Sequence, residues 1–374
     1  MNELHAELIE QVKRFRLEKI EPTAEHDDAN EEFKMDIYRG IGELGLAGIP
    51  ISEDFGGTSL GYTELCMVLE ELAKSSVSYA VTLSVSTMVQ GMIQNSGTQE
   101  QKSKFLPSLT SGQGIGAFCL SEAGSGSDAK AMKSFAQKVD GGYELSGQKM
   151  WITSAGIAEV YVVMAKTGEK EVSSFIVPAD SKGISFGEKE KKMGWKVSPT
   201  REVIFDKVFI PDVNILGKQG DGFKVAMKAL DGGRITIGSI AVGLAQRALD
   251  ESINYSLERE QFKQPIFDFQ GIQFMLADMA TEVMSARLLV KESARLYDAN
   301  TPNQILNSMA KLKATDVGMK VTTDAVQVLG GNGYTTDYHV ERYMRDAKVL
   351  QIVEGTNQIQ RVVIARNLKK EYSE

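Results

Sequence analysis

The chain has 374 residues, 50 acidic against 42 basic, with a formal net charge of −8 and 42% apolar side chains. Globular composition at this length predicts two or three domains around sizeable cores and excludes a disordered chain. The acidic balance excludes a general nucleic-acid or anionic-membrane binder, while leaving room for a local basic pocket that takes a phosphorylated small molecule. No segment approaches the ~18 uninterrupted apolar residues of a membrane span, and the opening MNELHAELIEQVKRFRLEKIEP has no signal-peptide core, so a cytoplasmic protein is expected.

Residues 1–113 predict helices: Leu4, Leu8, Val12 and Phe15 recur at helical spacing, and Tyr62 to Leu72 continues the pattern after the break at Pro50 to Gly57. Residues 114–221 change to short β-rich runs, including 158–165, 173–177 and 203–209, bounded by Gly, Pro and Asp, and hold both tryptophans, Trp151 and Trp195. Residues 222–374 return to the helical period. Met275, Met279, Val283, Arg287 and Val290 mark one helix and Val317, Val321, Ala325 and Val328 another, with Pro265 and Pro302 between helices, which predicts a bundle.

Two cysteines, Cys66 and Cys119, make no disulfide framework and no metal-ligand spacing. The three histidines, His5, His26 and His339, are far apart, so no metal site is expected and acid/base chemistry falls to a carboxylate.

Several segments carry the means for chemistry. In Phe118-Cys119-Leu120-Ser121-Glu122-Ala123-Gly124-Ser125-Gly126-Ser127-Asp128, small residues let backbone N–H groups approach an anion or a ring, although a Gly/Ser loop is also an ordinary connection. It is not a dinucleotide fingerprint, since the third glycine and any βαβ alternation are missing. Lys149-Met150-Trp151-Ile152-Thr153 places an indole and a hydroxyl at the edge of a β-domain, suited to a planar cofactor or to a core. Leu230-Asp231-Gly232-Gly233-Arg234 reads as the start of a long helix, where Asp231 and Arg234 form a helical ion pair or hold a polar ligand. Arg259-Glu260-Gln261-Phe262 supplies a guanidinium for phosphate or for a helix C-terminus. Gln327-Val328-Leu329-Gly330-Gly331 reads as a glycine-capped helix stop. In Glu354-Gly355-Thr356-Asn357-Gln358, Thr356 reads as a helix N-cap, and Glu354 as either a dipole-complementing carboxylate or a general base raised by desolvation.

Identity, order and spacing of these strings, together with R-x-x-R-D-A at 342–347, resemble the acyl-CoA dehydrogenase family over essentially the whole chain. The resemblance implies an α+β multidomain fold: an N-terminal helical domain (1–113), a central β-barrel-like domain (114–221) and a C-terminal four-helix bundle (222–374), assembled as a homotetramer. It implies FAD as cofactor, held by Phe118, Leu120, Ser121, Gly126 and Ser127, covered by Trp151, Ile152 and Thr153, and bound across a subunit interface by Arg259, Gln261, Phe262, Gln270, Gln327, Val328, Leu329, Gly330 and Gly331, with Thr356, Asn357 and Gln358 completing the site. Ser127, Asp231, Gly232, Gly233, Arg234 and Gly355 are then substrate contacts, and Glu354 the catalytic base.

The implied reaction converts a straight short- to medium-chain acyl-CoA to a trans-2-enoyl-CoA: Glu354 takes the α-proton, flavin N5 the β-hydride, and an electron-transfer flavoprotein the electrons. The base has a second known location in the family, immediately before the arginine of the L-D-x-x-R string, where this chain has Gly233, leaving Glu354. Ala80 stands after Tyr79 where glutaryl-type members have an arginine, which disfavours a dicarboxylic substrate. Val353 replaces the usual tyrosine before the base, Ala123 a frequent proline, and Lys263-Gln264 the usual Gly-Lys, so that no positive φ is expected at that turn. Alternatives on the same fold are an acyl-CoA oxidase, another flavin-dependent oxidase or monooxygenase, or a branched-chain acyl-CoA dehydrogenase.

Overall fold

The computed structural model describes residues 3–373. Six helices come first: α1 (Glu3–Phe15), α2 (Ala24–Asn30), α3 (Met35–Glu43), α4 (Tyr62–Ala73), α5 (Val77–Ser96) and α6 (Gln99–Thr110). The expected apolar stripe of α1 is only partly used, since Val12 is buried while Leu4 is exposed. α5 is the central helix of this region, buried from Val77 to Gln90. Ser76 and Thr98 cap α5 and α6 by accepting hydrogen bonds from backbone N–H groups in their first turns.

The middle of the chain forms one eight-stranded sheet from β1 (Gly116–Cys119), β2 (Phe135–Val139), β3 (Gly142–Thr153), β4 (Val160–Lys166), β5 (Val172–Pro178), β6 (Ile184–Phe186), β7 (Thr200–Pro211) and β8 (Ile215–Leu216). The pairing runs β6-β7-β3-β2-β4-β5-β8, with β1 added in parallel to β4. β2 and β4 meet at one residue pair, Phe135 with Lys166, so two four-stranded leaves share a single hinge of pairing. Among the described residues no pairing joins β6 to β8, and the sheet is not closed by hydrogen bonds into a ring.

The remaining chain is helical: α7 (Gly222–Glu258), α8 (Gln270–Asp298), α9 (Gln304–Leu329), the short α10 (Gly331–Tyr334), α11 (Val340–Leu350) and α12 (Asn357–Glu371). α7 packs against α9, α8, α4 and α5 and is the spine of the molecule. Gly243 makes one such approach possible, because a Cβ there would overlap the backbone carbonyl of Glu70 on α4. The Asp298 carboxylate at the end of α8 accepts from the backbone N–H groups of Tyr62 (2.6 Å) and Thr63 (2.9 Å), docking the bundle onto the first turn of α4. Trp195, in the loop before β7, donates from its backbone N–H to Asp346 Oδ1 (2.6 Å) and from its indole to the Asp346 carbonyl (3.1 Å), tying the sheet to α11.

Between α7 and α8 two short strands, β9 (Glu260–Gln261) and β10 (Gln264–Pro265), close a hairpin on Phe262 and Lys263. Both loop residues have positive φ, 51° and 69°, which corrects the expectation drawn from the loss of glycine at 263. A two-residue hairpin loop takes the left-handed conformation at both central positions because only that turn matches the twist of its strands. The topology imposes this conformation whatever residue occupies it. Lys263→Val should therefore lower stability by about 1–2 kcal/mol, whereas Lys263→Gly should cost nothing, as read by thermal unfolding of the two variants.

Candidate active site

Three groups of residues emerge. The first is the loop after β1 together with the end of β3. Glu122 and Ser125 exchange backbone hydrogen bonds (3.0 Å each), folding the loop back on itself, and Met150 N–H donates to the Ser121 carbonyl (2.9 Å). The core of this arrangement is the buried pair Lys149–Glu122: Nζ donates to Glu122 Oε1 (2.8 Å) and to the Leu120 carbonyl (3.1 Å), while the same carboxylate accepts from the N–H groups of Lys133 (2.6 Å) and Ser134 (3.0 Å). Burial alone would raise the Glu122 pKa, but the ammonium and the two N–H groups outweigh it and hold it below the usual carboxylate range.

With its polar side chain turned inward, this loop presents small residues outward. Gly124 and Gly126 face open space, and Ser127 is exposed. Trp151 sits at a register shift between β3 and β7 with φ 57°, and its side chain is 54% exposed although Ile152 beside it is buried. A bulge that re-aims a large aromatic ring outward leaves it free for a flat partner.

A second group gathers at the far ends of α7 and α9. Arg259 is the C-cap of α7, its carbonyl accepting from Ile266 N–H (2.8 Å), and Gln270 opens α8 just beyond. Asn332 Nδ2 donates to Tyr255 Oη (2.9 Å), bringing the turn after α9 against the last turn of α7. Arg259, Gln261, Phe262, Gln270 and Gln327 are exposed, as are Gly330 and Gly331. Val328 and Leu329 are instead buried in the core, so only their backbone is available to a ligand. Among the described residues no hydrogen bond links this group to the first.

The third group surrounds Glu354. Asp231 and Arg234 do form an ion pair (2.7 Å), but in the third turn of α7 rather than at its start, and Gln304 Nε2 also donates to Asp231 (3.1 Å). A Cβ on Gly232 would overlap Tyr62 Oη, whose ring packs on Tyr297 at 4.3 Å between centroids. Gly233 faces Glu354 itself: a Cβ there would lie 2.6 Å from Oε2. That oxygen is buried and has no hydrogen-bond partner among the described residues, and the Arg234 Nε is likewise buried and unpartnered. Desolvation raises the Glu354 pKa from 4.5 to about 7, against the opposing pull of the Lys311 and Arg234 cations.

The turn carrying Glu354 is left-handed at two consecutive residues, φ 55° at Glu354 and 86° at Gly355. Gln360 Nε2 holds both carbonyls (3.1 and 2.9 Å), and Thr356 caps α12 through Ile359 N–H (3.2 Å). The Glu354 backbone N–H donates to no acceptor among the described residues. Asn357 is buried, its side chain spent on Thr315 (2.9 Å) and Asp316 (2.7 Å), so it shapes this turn rather than facing a ligand, while Gln358 is exposed.

The sequence singles out no role for Lys149, Tyr62, Lys311 or Gln360, and Glu122 enters there only as part of the loop from Phe118 to Ser127. Lys311 had a readable signal, being the one cation on the buried stripe of α9 formed by Asn307, Ala314, Gly318 and Val321.

A buried carboxylate oxygen without a partner, an open glycine-rich loop and an exposed indole are what the chain offers to a ligand and a flat cofactor, and the comparisons place the chain among the oxidoreductases. The acyl-CoA dehydrogenase N-terminal domain matches residues 2–113, the middle domain 117–208 and the C-terminal domain 220–369. The chain belongs to the acyl-CoA dehydrogenase family. It is 43% identical to isobutyryl-CoA dehydrogenase of Dictyostelium discoideum, over 96% of this chain and 87% of that protein, and 41% identical to the short-chain-specific acyl-CoA dehydrogenase of Clostridium acetobutylicum, over 96% of both. Among solved structures, butyryl-CoA dehydrogenase of Megasphaera elsdenii superposes with a TM-score of 0.97 at 37% identity, covering 98% of each chain. A chain in a structure described as the electron transferring flavoprotein of Acidaminococcus fermentans also gives 0.97, at 41% identity and 98% of each chain. The acyl-CoA dehydrogenase of Bacillus anthracis, solved with FAD, gives 0.95 at 31% identity, covering 100% of this chain and 68% of that one.

The contact between Gly233 and Glu354 gives a test with opposed readouts. Alanine is the better helix former by about 1 kcal/mol, so Gly233→Ala should melt no earlier than the parent. Its displaced carboxylate should nevertheless lower the rate of acyl-CoA oxidation by about tenfold or more, measured by anaerobic reduction of the FAD-loaded protein.

Proposed function

We propose that this chain is an FAD-dependent acyl-CoA dehydrogenase acting on a straight short- to medium-chain acyl-CoA, with Glu354 as the base that removes the α-proton. The observation that carries the reading is the buried, unpartnered Oε2 of Glu354, set against a glycine that leaves it room. A carboxylate complementing a helix dipole has no reason to keep one of its oxygens from water and from every donor.

The residues fit the cofactor. The open space over Gly124 and Gly126, the exposed indole of Trp151, and the exposed donors Arg259, Gln270, Gln327 and Gln358 are unspent within the chain, while the Gln261 amide donates to the Glu260 carbonyl (2.6 Å). Phe118 through Ser127 and Trp151 through Thr153 would hold one end of FAD; the Arg259 hairpin with Phe262, Gln270 and the Gln327–Gly331 turn would hold the other from a neighbouring subunit, in a homotetramer. FAD supplies, when bound, the acceptor for the β-hydrogen and its electron pair.

The chain's own residues do the rest. An α-proton of a thioester is too weakly acidic for a carboxylate unless the carbonyl oxygen is polarised, and the unspent N–H of Glu354 is a donor beside the base itself. Arg234 and Asp231, fixed to one another on α7, line the approach together with Gly355. Burial keeps the Glu354 carboxyl near neutrality, so that it takes up a proton readily when ionised. The likeness to a chain in an electron transferring flavoprotein structure supports such a protein as the electron acceptor.

A short branched acyl chain is the second reading, favoured by the identity to isobutyryl-CoA dehydrogenase. Comparing anaerobic flavin bleaching by butyryl-, isobutyryl- and octanoyl-CoA separates the two by which substrate is fastest. With the best of these, the base must be ionised to act, so the rate should rise with pH through a midpoint near 7 and fall away below it. Glu354→Gln should retain bound flavin and lose bleaching by about three orders of magnitude or more, because an amide accepts no proton at neutral pH. Near-normal bleaching in that variant would place the base elsewhere.

A further inference from the structure

We propose that Lys311 is a positioning residue for the base: its amino group clamps the left-handed Glu354–Gly355 turn through the Gly355 carbonyl and, while protonated, is a positive charge that favours the ionised Glu354. This rests on the reading of Glu354 as the base, and adds a partner that acts through it.

The geometry is specific. Lys311 lies on α9 with no solvent exposure, and its Nζ donates to the Gly355 carbonyl (3.0 Å) and to Asn357 Oδ1 (2.9 Å). Together with Gln360 it fixes the carbonyls of Glu354 and Gly355, the two left-handed residues of the turn. A turn with a glutamate at φ 55° needs such over-determination, since the conformation is unfavourable for a residue with a Cβ.

Hydrogen bonding alone does not account for a lysine. Placing an ammonium in the interior costs on the order of several kcal/mol unless its charge is compensated, and a neutral donor would reach the same carbonyl without that cost. Among the described residues Lys311 has no carboxylate within ion-pair distance. The charges that act on it are Glu354, Asp316 on its own helix and Arg234 on α7, the last two paired in turn with Arg361 on α12 and Asp231 on α7. Asp231 is engaged by Arg234 (2.7 Å) and Asp316 by Arg361 (3.1 Å), which leaves Glu354 as the uncommitted anion.

Burial lowers the Lys311 pKa to about 7, partly offset by Glu354 and Asp316. The ammonium is therefore present over the lower part of the range in which Glu354 titrates, and it eases the loss of that proton.

The test uses FAD-loaded protein mixed anaerobically with butyryl-CoA, following flavin bleaching from about pH 6 to about pH 9. Lys311→Gln keeps a donor without charge; Lys311→Met keeps neither. In Lys311→Gln the acid limb should move upward by about one pH unit, with the high-pH plateau within about threefold of the parent. Lys311→Met should show the same displacement together with a plateau lowered by about tenfold or more. An unmoved limb in both variants, or a loss equal at every pH, overturns the proposal. If Lys311→Met does not retain FAD, Lys311→Gln decides; if neither retains it, the lysine is scaffold and the proposal fails. Glu354→Gln in the same assay keeps the two readings apart: its loss of bleaching beside unmoved Lys311 limbs sinks only the role of Lys311, whereas its retention of bleaching sinks the base itself.

Discussion

The site depends on one unfavourable act, the burial of the Glu354 carboxyl without a hydrogen-bond donor for Oε2. An ionised carboxylate in such a place gives up hydration that nothing nearby fully replaces, and the raised pKa is that loss expressed as proton affinity. The surrounding fold bears this cost through contacts well away from the carboxyl. Gly233 leaves the space, Gln360 and Lys311 fix the turn, and Asn357 with Thr315 and Asp316 joins the turn to α9. Seen this way, the long α7 serves as the reference surface: one of its turns carries Gly232, Gly233 and Arg234, while its buried length is held by α4, α5, α8 and α9.

A second constraint shapes the loop after β1. Its outward face must be small and open, which leaves no side chains on that face to stabilise it. The structure resolves this by stabilising it from within, through Lys149 and Glu122 and the N–H groups of Lys133 and Ser134. A charged pair is thus used to shape a loop whose exposed residues, Ala123, Gly124, Gly126, Ser127 and Asp128, are mostly small. The same division appears at the turn after α9, where Val328 and Leu329 anchor in the core and Gly330 and Gly331 remain open.

Much of this was legible in the sequence, for identifiable reasons. The alternation of helical and strand periods marked the three regions because each buries one face of its elements. Thr356 was readable as a cap, and Asp231 with Arg234 as a pair three residues apart. Other features were not local and could not be read. The positive φ at Lys263 comes from hairpin closure, the docking of Asp298 onto α4 spans most of the chain, and the two leaves of the sheet meet at a pair set by tertiary packing. Glu354 looked the same as a dipole-complementing carboxylate until its neighbours across α7 and α9 were known.

The central claim is that Glu354 is a desolvated carboxyl poised near neutrality, and its own titration tests this most directly. Infrared difference spectra of substrate-free, FAD-loaded protein carrying carboxyl-labelled glutamate, with the Glu354→Gln spectrum subtracted, report its protonated carbonyl band alone. The account predicts that this band disappears with a midpoint near pH 7. A midpoint close to the ordinary 4.5 would show a solvated carboxylate and contradict it.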